Sequence, residues 1–372
     1  MIKAAIIGST GSIGTQALDV VRKSNGELKV VSLAAGGNAV LLQQQIDEFK
    51  PSVATLERGK IGRNSLETFV GEGSYLNAVT KDCDVVLVAM SGFKAYYAIE
   101  KAIDLKIDVA LANKEAIVSA GDILLKKARE NGVKVFPVDS EHSAVYQCLK
   151  SGSEIDKIIL TASGGSLRDY TPEMLEKVTA EEVLNHPTWV MGKKITVDSA
   201  TMLNKGFEVI EAMRLFDCGC DDVDVVIHKD SIVHSMVAFK DGAVVAQMGK
   251  PSMKTPISYA LYKGARKDAG VDKLDFTNLT LDFKKVEEGK YPLYDLAREV
   301  ARKGGLYPAL LVAADEVAVE RFLTGEIAFT KIYDVIKYAL DKSKEHIINL
   351  SVTKENVLFA DSTARKFAKE YK

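Results

Sequence analysis

Two short stretches, Asp139-Ser140-Glu141 and Asn204-Lys205-Gly206-Phe207-Glu208, collect three carboxylates, a lysine, an amide and a hydroxyl. That set suits a hard divalent cation and a polar, phosphorylated substrate, because all-oxygen ligation selects Mg²⁺ or Mn²⁺ over zinc. If a strand over residues 133–138 runs on through Asp139 and Glu141, both side chains leave one face. They would then stand at the carboxyl end, where open α/β sheets bind ligands. Asn204 and Glu208 are four apart and share a helix face, with Lys205 beside them. A single acidic residue is more often a solvated surface group; the apolar surroundings of the whole set favour a site. A second chemistry opens the chain. Gly8-Ser9-Thr10-Gly11-Ser12-Ile13-Gly14 lies between a strand-like run and a helical one, where a glycine loop presents a helix N-terminus to pyrophosphate. Its spacing is GxxGxxG rather than GxGxxG, and spacing alone leaves a ligand-free turn open.

Weaker candidates follow. Ser163-Gly164-Gly165-Ser166 offers N–H groups and hydroxyls to a phosphate, and reads equally as a plain turn. Asn185-His186-Pro187-Thr188-Trp189 holds the only tryptophan, a residue more often a packing anchor than a substrate lid. His228 and His234 flank Lys229-Asp230-Ser231, and buried, hydrogen-bonded histidines are the plainer reading there. His142 and His346 show no recognisable partner. The second strand ends Leu33-Ala34-Ala35-Gly36-Gly37-Asn38. No acid awaits ribose hydroxyls, which favours NADP, but no arginine or lysine stands there to hold a 2′-phosphate.

The elements that must position these groups are legible in outline. Apolar strands at residues 3–7, 28–33, 84–89, 108–112 and 133–138 alternate with helical periodicity at 15–23 and 39–49, predicting a doubly wound parallel sheet. Strands at 155–162, 194–197, 223–226, 232–239 and 243–248, the last two flanking Lys240-Asp241-Gly242 as a hairpin, predict an α+β middle. Residues 263–289 read as a connecting arm, and helices at 293–303, 307–324, 330–340 and 354–371 as a bundle. The length of 372 residues predicts more than one domain. With 47% hydrophobic and 27% charged residues, a folded globular chain is expected, and a net charge of -2 gives no reason to expect nucleic acid or an anionic membrane as partner. No apolar run reaches the roughly 18 residues of a membrane span, and no basic leader opens the sequence. The cytoplasm is the expected location. Cys83, Cys148, Cys218 and Cys220 match no zinc or redox spacing.

Taken in order, GSTGSIG at Gly8, ANKE at Ala112, DSEH at Asp139, ASGG at Ala162 and NHPTWVMGKKITVDSATMLNKGFEVIEA from Asn185 closely resemble the 1-deoxy-D-xylulose 5-phosphate reductoisomerases. MKTPISYAL at Met253 and AADEVAVERFLTGEIAFT near Ala313 fit as well. The resemblance implies an α/β fold: a Rossmann-like NADPH-binding domain (1–139), an α+β catalytic domain (140–262), an arm (263–289) and a C-terminal helical bundle (290–372). It implies NADPH at Thr10, Gly11, Ser12, Ile13, Gly36, Gly37, Asn38, Asn113, Glu115 and Gly192. Mg²⁺ or Mn²⁺, with Co²⁺ as a further possibility, would sit on Asp139, Glu141 and Glu208. The sugar-phosphate substrate would meet Lys114, Ser140, Glu141, Ser163, His186, Trp189, Ser199, Asn204, Lys205 and Glu208. Glu141, Lys205, His186 and His234 would be the catalytic groups, in a homodimer. The chain departs from the family pattern at Gly37, at Lys229-Asp230 and at Asp315, where the family has asparagine. Two rivals, a plain NADP-dependent sugar-phosphate dehydrogenase and an NADP-sensing regulator, require neither the three carboxylates nor the lysine–asparagine pair.

Overall fold

A computed structural model describes residues 1–62, 66–152, 154–189 and 191–372; Val190, inside the long central motif, lies outside the described residues. The chain forms two compact units. One comprises residues 1–116, 124–146 and 252–274, the other residues 117–123, 147–251 and 275–372.

The first unit is built on strands β1 (Ile2–Ile7), β2 (Leu28–Ala35), β3 (Val53–Leu56), β4 (Glu67–Val70), β5 (Val85–Val88), β6 (Asp108–Leu111) and β7 (Val135–Pro137). Among the described residues they make one parallel sheet in the order β4-β3-β2-β1-β5-β6-β7. The order reverses between β1 and β5, the switch point at which such sheets bind ligands. Ala4 to Ile7 and Val85 to Val88 have no exposed surface, which is why these strands read as unbroken apolar runs rather than alternating ones. Helices α1 (Ser12–Arg22), α2 (Ala39–Phe49), α3 (Ala95–Asp104), α4 (Lys114–Glu130) and α5 (Ser140–Cys148) follow β1, β2, β5, β6 and β7. The expected doubly wound sheet is present. One expectation is corrected: the strand at β7 stops at Pro137 and Ser140 begins a helix. Asp139 and Glu141 therefore occupy a helix start and not one face of a strand.

In the second unit β8 (Ile155–Ala162), β9 (Val223–Ile227), β10 (Val233–Phe239), β11 (Val244–Met248) and β12 (Lys284–Lys285) form a mixed sheet. Its order among the described residues is β11-β10-β8-β9-β12. The predicted hairpin is there: β10 and β11 pair antiparallel, and Gly242 turns the chain at φ +88. Short helices α6 (Pro172–Leu175) and α7 (Ala180–Leu184) are capped by Thr171 and Thr179, and α8 (Lys193–Ala200) and α9 (Leu203–Phe216) follow. The strand expected at 194–197 is thus helical. Its β-branched run Ile195-Thr196-Val197 imitates a strand, but Gly192 caps the helix and Thr196 Oγ1 donates back to Gly192 O at 2.8 Å.

Helix α10 (Lys254–Leu261) returns to the first unit, where Ile257, Ala260 and Leu261 join Ala17, Leu18 and Val21 in its core. Residues 263–289 carry little regular structure apart from β12. Helices α11 (Pro292–Lys303), α12 (Tyr307–Leu323), α13 (Lys331–Ile347) and α14 (Lys354–Glu370) close the chain. Helix α12 packs on both α13 and α14, and its residues Ala309 to Ala314 are all buried, as a helix apolar on every side requires.

Candidate active site

In the first unit the glycine loop leaves β1 at Gly8, whose φ is +93. A Cβ there would lie 2.6 Å from Ala89 O, and one on Gly14 would lie 2.2 Å from Gly8 O. Both positions accept only glycine, because loop, β5 and α1 touch backbone to backbone. Helix α1 then starts at Ser12 with no side-chain cap and no acidic residue in its first turn. Thr10, Gly11, Ser12 and Ile13 thus surround a helix start, where the first N–H groups have no intrahelical acceptor, although Gly11 N itself donates to Gly8 O at 3.1 Å. Gly36, Gly37 and Asn38 leave β2, and Asn38 caps α2 by accepting from Leu41 N at 3.1 Å. The expectation that no cationic side chain stands at this point is corrected: Arg58, which follows β3, reaches Gly37. A Cβ on Gly37 would be 3.7 Å from Arg58 Nε and Nη2. Nothing in the linear sequence, 21 residues on, announces it.

Asn113 caps α4 through Ala116 N at 2.9 Å, while its Nδ2 donates to Met90 O, Gly92 O and Glu115 Oε2. Fixing the loop after β5 in this way sets Lys114 in place. The Lys114 Nζ lies 2.8 Å from Asp139 Oδ2, and His142 Nδ1 lies 3.7 Å from the same oxygen. Burial pushes the Asp139 carboxyl up, but Lys114 and His142 outweigh it and hold the group well below the usual carboxylate range. Asp139 is ionised. His142, which the sequence left without a role, is fully buried behind it. Ser140 Oγ donates to Glu141 Oε2 at 2.6 Å.

In the second unit, β8 ends and Ser163-Gly164-Gly165 turns with both glycines at positive φ. A Cβ on Gly165 would be 2.4 Å from Ser199 O, so the turn lies tight against the end of α8. Gly165 N donates to Ser163 Oγ at 3.2 Å and Arg168 Nη1 to Ser163 O at 3.0 Å. His186 Nε2 is 3.1 Å from Ser163 Oγ. Its Nδ1 accepts from Thr188 N and Trp189 N at 3.1 and 3.0 Å. Two donors on Nδ1 leave the ring proton on Nε2, so the neutral imidazole donates toward Ser163. Burial, then the Arg168 charge, pushes this imidazole below its ordinary value, consistent with that tautomer. Trp189 is half-buried on the same loop, and Gly192 is exposed at the start of α8.

Helix α9 supplies Asn204, Lys205 and Glu208. Asn204 Nδ2 donates to Glu208 Oε1 at 2.5 Å, and Lys205 Nζ pairs with Glu208 Oε2. Lys205 and Glu208 are buried, Glu208 at 1% exposure, and each Glu208 oxygen meets one of these donors. His234 lies in β10 next to the end of β8, where Thr161 Oγ1 donates to His234 O at 2.8 Å. His228 accepts Ile232 N on Nε2 and faces Asp282 O with Nδ1, at 3.2 and 2.8 Å; it is the plain structural histidine.

A glycine loop at the switch point of a doubly wound sheet is the arrangement of nucleotide-binding α/β proteins, and the Ser163-Gly164-Gly165 turn has the form of a phosphate nest. Comparison narrows the class. Family models for 1-deoxy-D-xylulose 5-phosphate reductoisomerase match residues 4–121, for its C-terminal domain residues 135–216, and for the DXP reductoisomerase C-terminal domain residues 248–367. The chain belongs to the 1-deoxy-D-xylulose 5-phosphate reductoisomerase family. It is similar to the reductoisomerase of Exiguobacterium sibiricum, at 45% identity over 99% of this chain and 98% of that one. The Moorella thermoacetica protein is 43% identical over 98% and 96%. Among solved structures, DOX-P reductoisomerase in complex with NADPH, fosmidomycin and magnesium superposes with a TM-score of 0.93 at 34% identity, covering 100% and 98%. The Zymomonas mobilis enzyme in complex with NADPH gives 0.89 at 33%, covering 99% and 98%.

Proposed function

We propose that the chain rearranges 1-deoxy-D-xylulose 5-phosphate and reduces it with NADPH to 2-C-methyl-D-erythritol 4-phosphate, in non-mevalonate isoprenoid precursor biosynthesis. Family membership along nearly the whole length carries this reading. The donor chemistry supports it: the Gly8 cradle suits a pyrophosphate, and an ionised Asp139 with Glu141 and Glu208 offers hard oxygen ligands. Those three carboxylates would hold Mg²⁺ or Mn²⁺, with Co²⁺ as an alternative. Thr10, Gly11, Ser12, Ile13, Gly36, Gly37, Asn38, Asn113, Glu115 and Gly192 would hold NADPH. When bound, the cation supplies Lewis acidity at the substrate carbonyl and NADPH supplies the hydride.

The side chains do the rest. Ser163, His186, Ser199, Asn204 and Lys205 grip the substrate through its phosphate, His186 as a neutral donor from Nε2. Lys114 and Ser140 hold the polar end, and Glu141 takes the proton of a substrate hydroxyl. Lys205 meets negative charge as it develops on oxygen. Trp189 covers the substrate and keeps water out, and His234 completes the set. Residues 1–139 serve as the NADPH-binding domain, 140–262 as the catalytic domain, 263–289 as the arm and 290–372 as helical support. Among the described residues no helix is long and apolar enough to cross a membrane; a cytoplasmic homodimer is part of the proposal, checked by fractionation and by sedimentation at twice the chain mass.

The test is nicotinamide oxidation by the purified protein with 1-deoxy-D-xylulose 5-phosphate, with and without Mg²⁺ or Mn²⁺, the product identified by mass spectrometry. Turnover should vanish with chelator and return with either metal. Oxidation that ignores chelation would leave a plain dehydrogenase, and none from folded, metal-loaded protein would leave a sensor.

A further inference from the structure

We propose that Arg58 reads the 2′-phosphate that separates NADPH from NADH in this chain, an inference that rests on the cofactor reading above. In a doubly wound sheet the exit of β2 meets the adenosine ribose. Here that exit is Gly36-Gly37-Asn38, with neither a carboxylate to bind free ribose hydroxyls nor a cation of its own. The neighbouring strand supplies one. Glu57 N donates to Ala35 O at 3.0 Å and Arg58 N to Gly36 O at 2.8 Å, so the exits of β2 and β3 are joined through their backbones. The Arg58 side chain then lies beside Gly37, its Nε and Nη2 each 3.7 Å from where a Cβ would stand. These two nitrogens form one edge of the guanidinium fork, the edge that takes a phosphate or carboxylate through two parallel hydrogen bonds.

Two further observations point the same way. Arg58 is exposed and takes part in none of the ion pairs found among the described residues. Gly37 has no positive φ, so what glycine contributes is room next to the guanidinium rather than a special backbone conformation. A long side chain at position 37 would compete for the space that Arg58 reaches. The cation at this point stands on the loop after β3 and not on the loop after β2.

Equilibrium binding tests this without turnover. NADPH, NADH, 2′,5′-ADP and 5′-AMP are titrated calorimetrically into wild-type protein and into Arg58→Ala, Arg58→Lys and Arg58→Glu. Arg58→Ala should weaken NADPH and 2′,5′-ADP by about tenfold or more, the scale of one lost charge-assisted pair, and leave NADH and 5′-AMP within about twofold. Arg58→Lys should recover part of the loss, and Arg58→Glu should make NADH the better ligand. Equal weakening of phosphorylated and unphosphorylated ligands, or an unchanged NADPH affinity, overturns the role of Arg58 while leaving the cofactor reading intact. Wild-type protein that binds neither dinucleotide overturns both.

Discussion

At the residue scale, the His186 ring shows how a loop can set a proton. Thr188 N and Trp189 N both donate to Nδ1, so a proton arriving there must break two hydrogen bonds as well as charge a half-buried ring. Burial and Arg168 accordingly lower its pKa from the ordinary 6.5. A depressed folded value means that the unfolded chain binds the proton first, so this histidine's contribution is intact above 6.5 and is lost as pH falls through the folded value. Trp189, the only tryptophan, reports the event directly. Its emission should stay constant from neutral pH down to about 6.5 and shift only in more acid solution. In His186→Asn, whose amide oxygen can still accept the loop N–H groups, that transition should disappear. The same variant should raise KM for the phosphorylated substrate by about tenfold, the price of one donor to a charged group. An unaltered acid transition would mean that another group holds the loop.

At the scale of elements, α8 and α12 meet over an unbalanced charge. Lys194 Nζ lies 2.5 Å from Asp315 Oδ2 and 2.7 Å from Asp198 Oδ2, and both aspartates are buried. One ammonium faces two carboxylates. Burial, then Asp198, raises Asp315 to about 8 against the opposing pull of Lys194, with Glu316 adding slightly to the rise. The folded chain therefore keeps a proton that the unfolded one sheds near 3.8. Stability from this group is full below that value and drains away as pH rises to about 8. An asparagine at this position would need no proton. Asp315→Asn should match wild-type Tm at and below about pH 4 and exceed it by several degrees, roughly 1–3 kcal/mol, at about pH 8. Parallel pH profiles for the two proteins would locate the charge elsewhere. Helix α4 offers a second case of element-level design: it breaks at Ala120, φ -139, and buried Arg214 donates to Ile117 O at 2.5 Å across the break.

For the whole molecule, the path of the chain matters more than any boundary. The first unit draws on residues 1–116, 124–146 and 252–274, so its core is incomplete until α10 has been made. Ile257, Ala260 and Leu261 of that helix have no exposed surface, and leaving such a face uncovered forfeits about 25 cal/mol per Å². A fragment of residues 1–146 should melt without a cooperative transition. Fusing residues 252–274 to it through a flexible linker should restore one, along with binding of NADPH. Cooperative melting of the short fragment alone would show that α10 is dispensable to this core.

The sequence by itself determined the groups that lie close along the chain. The glycine loop, the carboxylates at 139 and 141, the Asn204–Glu208 helix face and the strands buried on both faces are local patterns, because neighbours in sequence share one turn or one pleat. Motifs of the same kind carried the family resemblance. The helical state of residues 194–197 was not legible, since a β-branched run favours a strand until a cap and a packed partner override it. Only the tertiary structure decided that Arg58 stands at Gly37, that His142 backs Asp139, that two loop amides fix the His186 proton and that α10 completes the first core. Parallel strands adjoin through crossovers, so the residues that meet at their ends lie tens of positions apart, and no local period records which ends will meet.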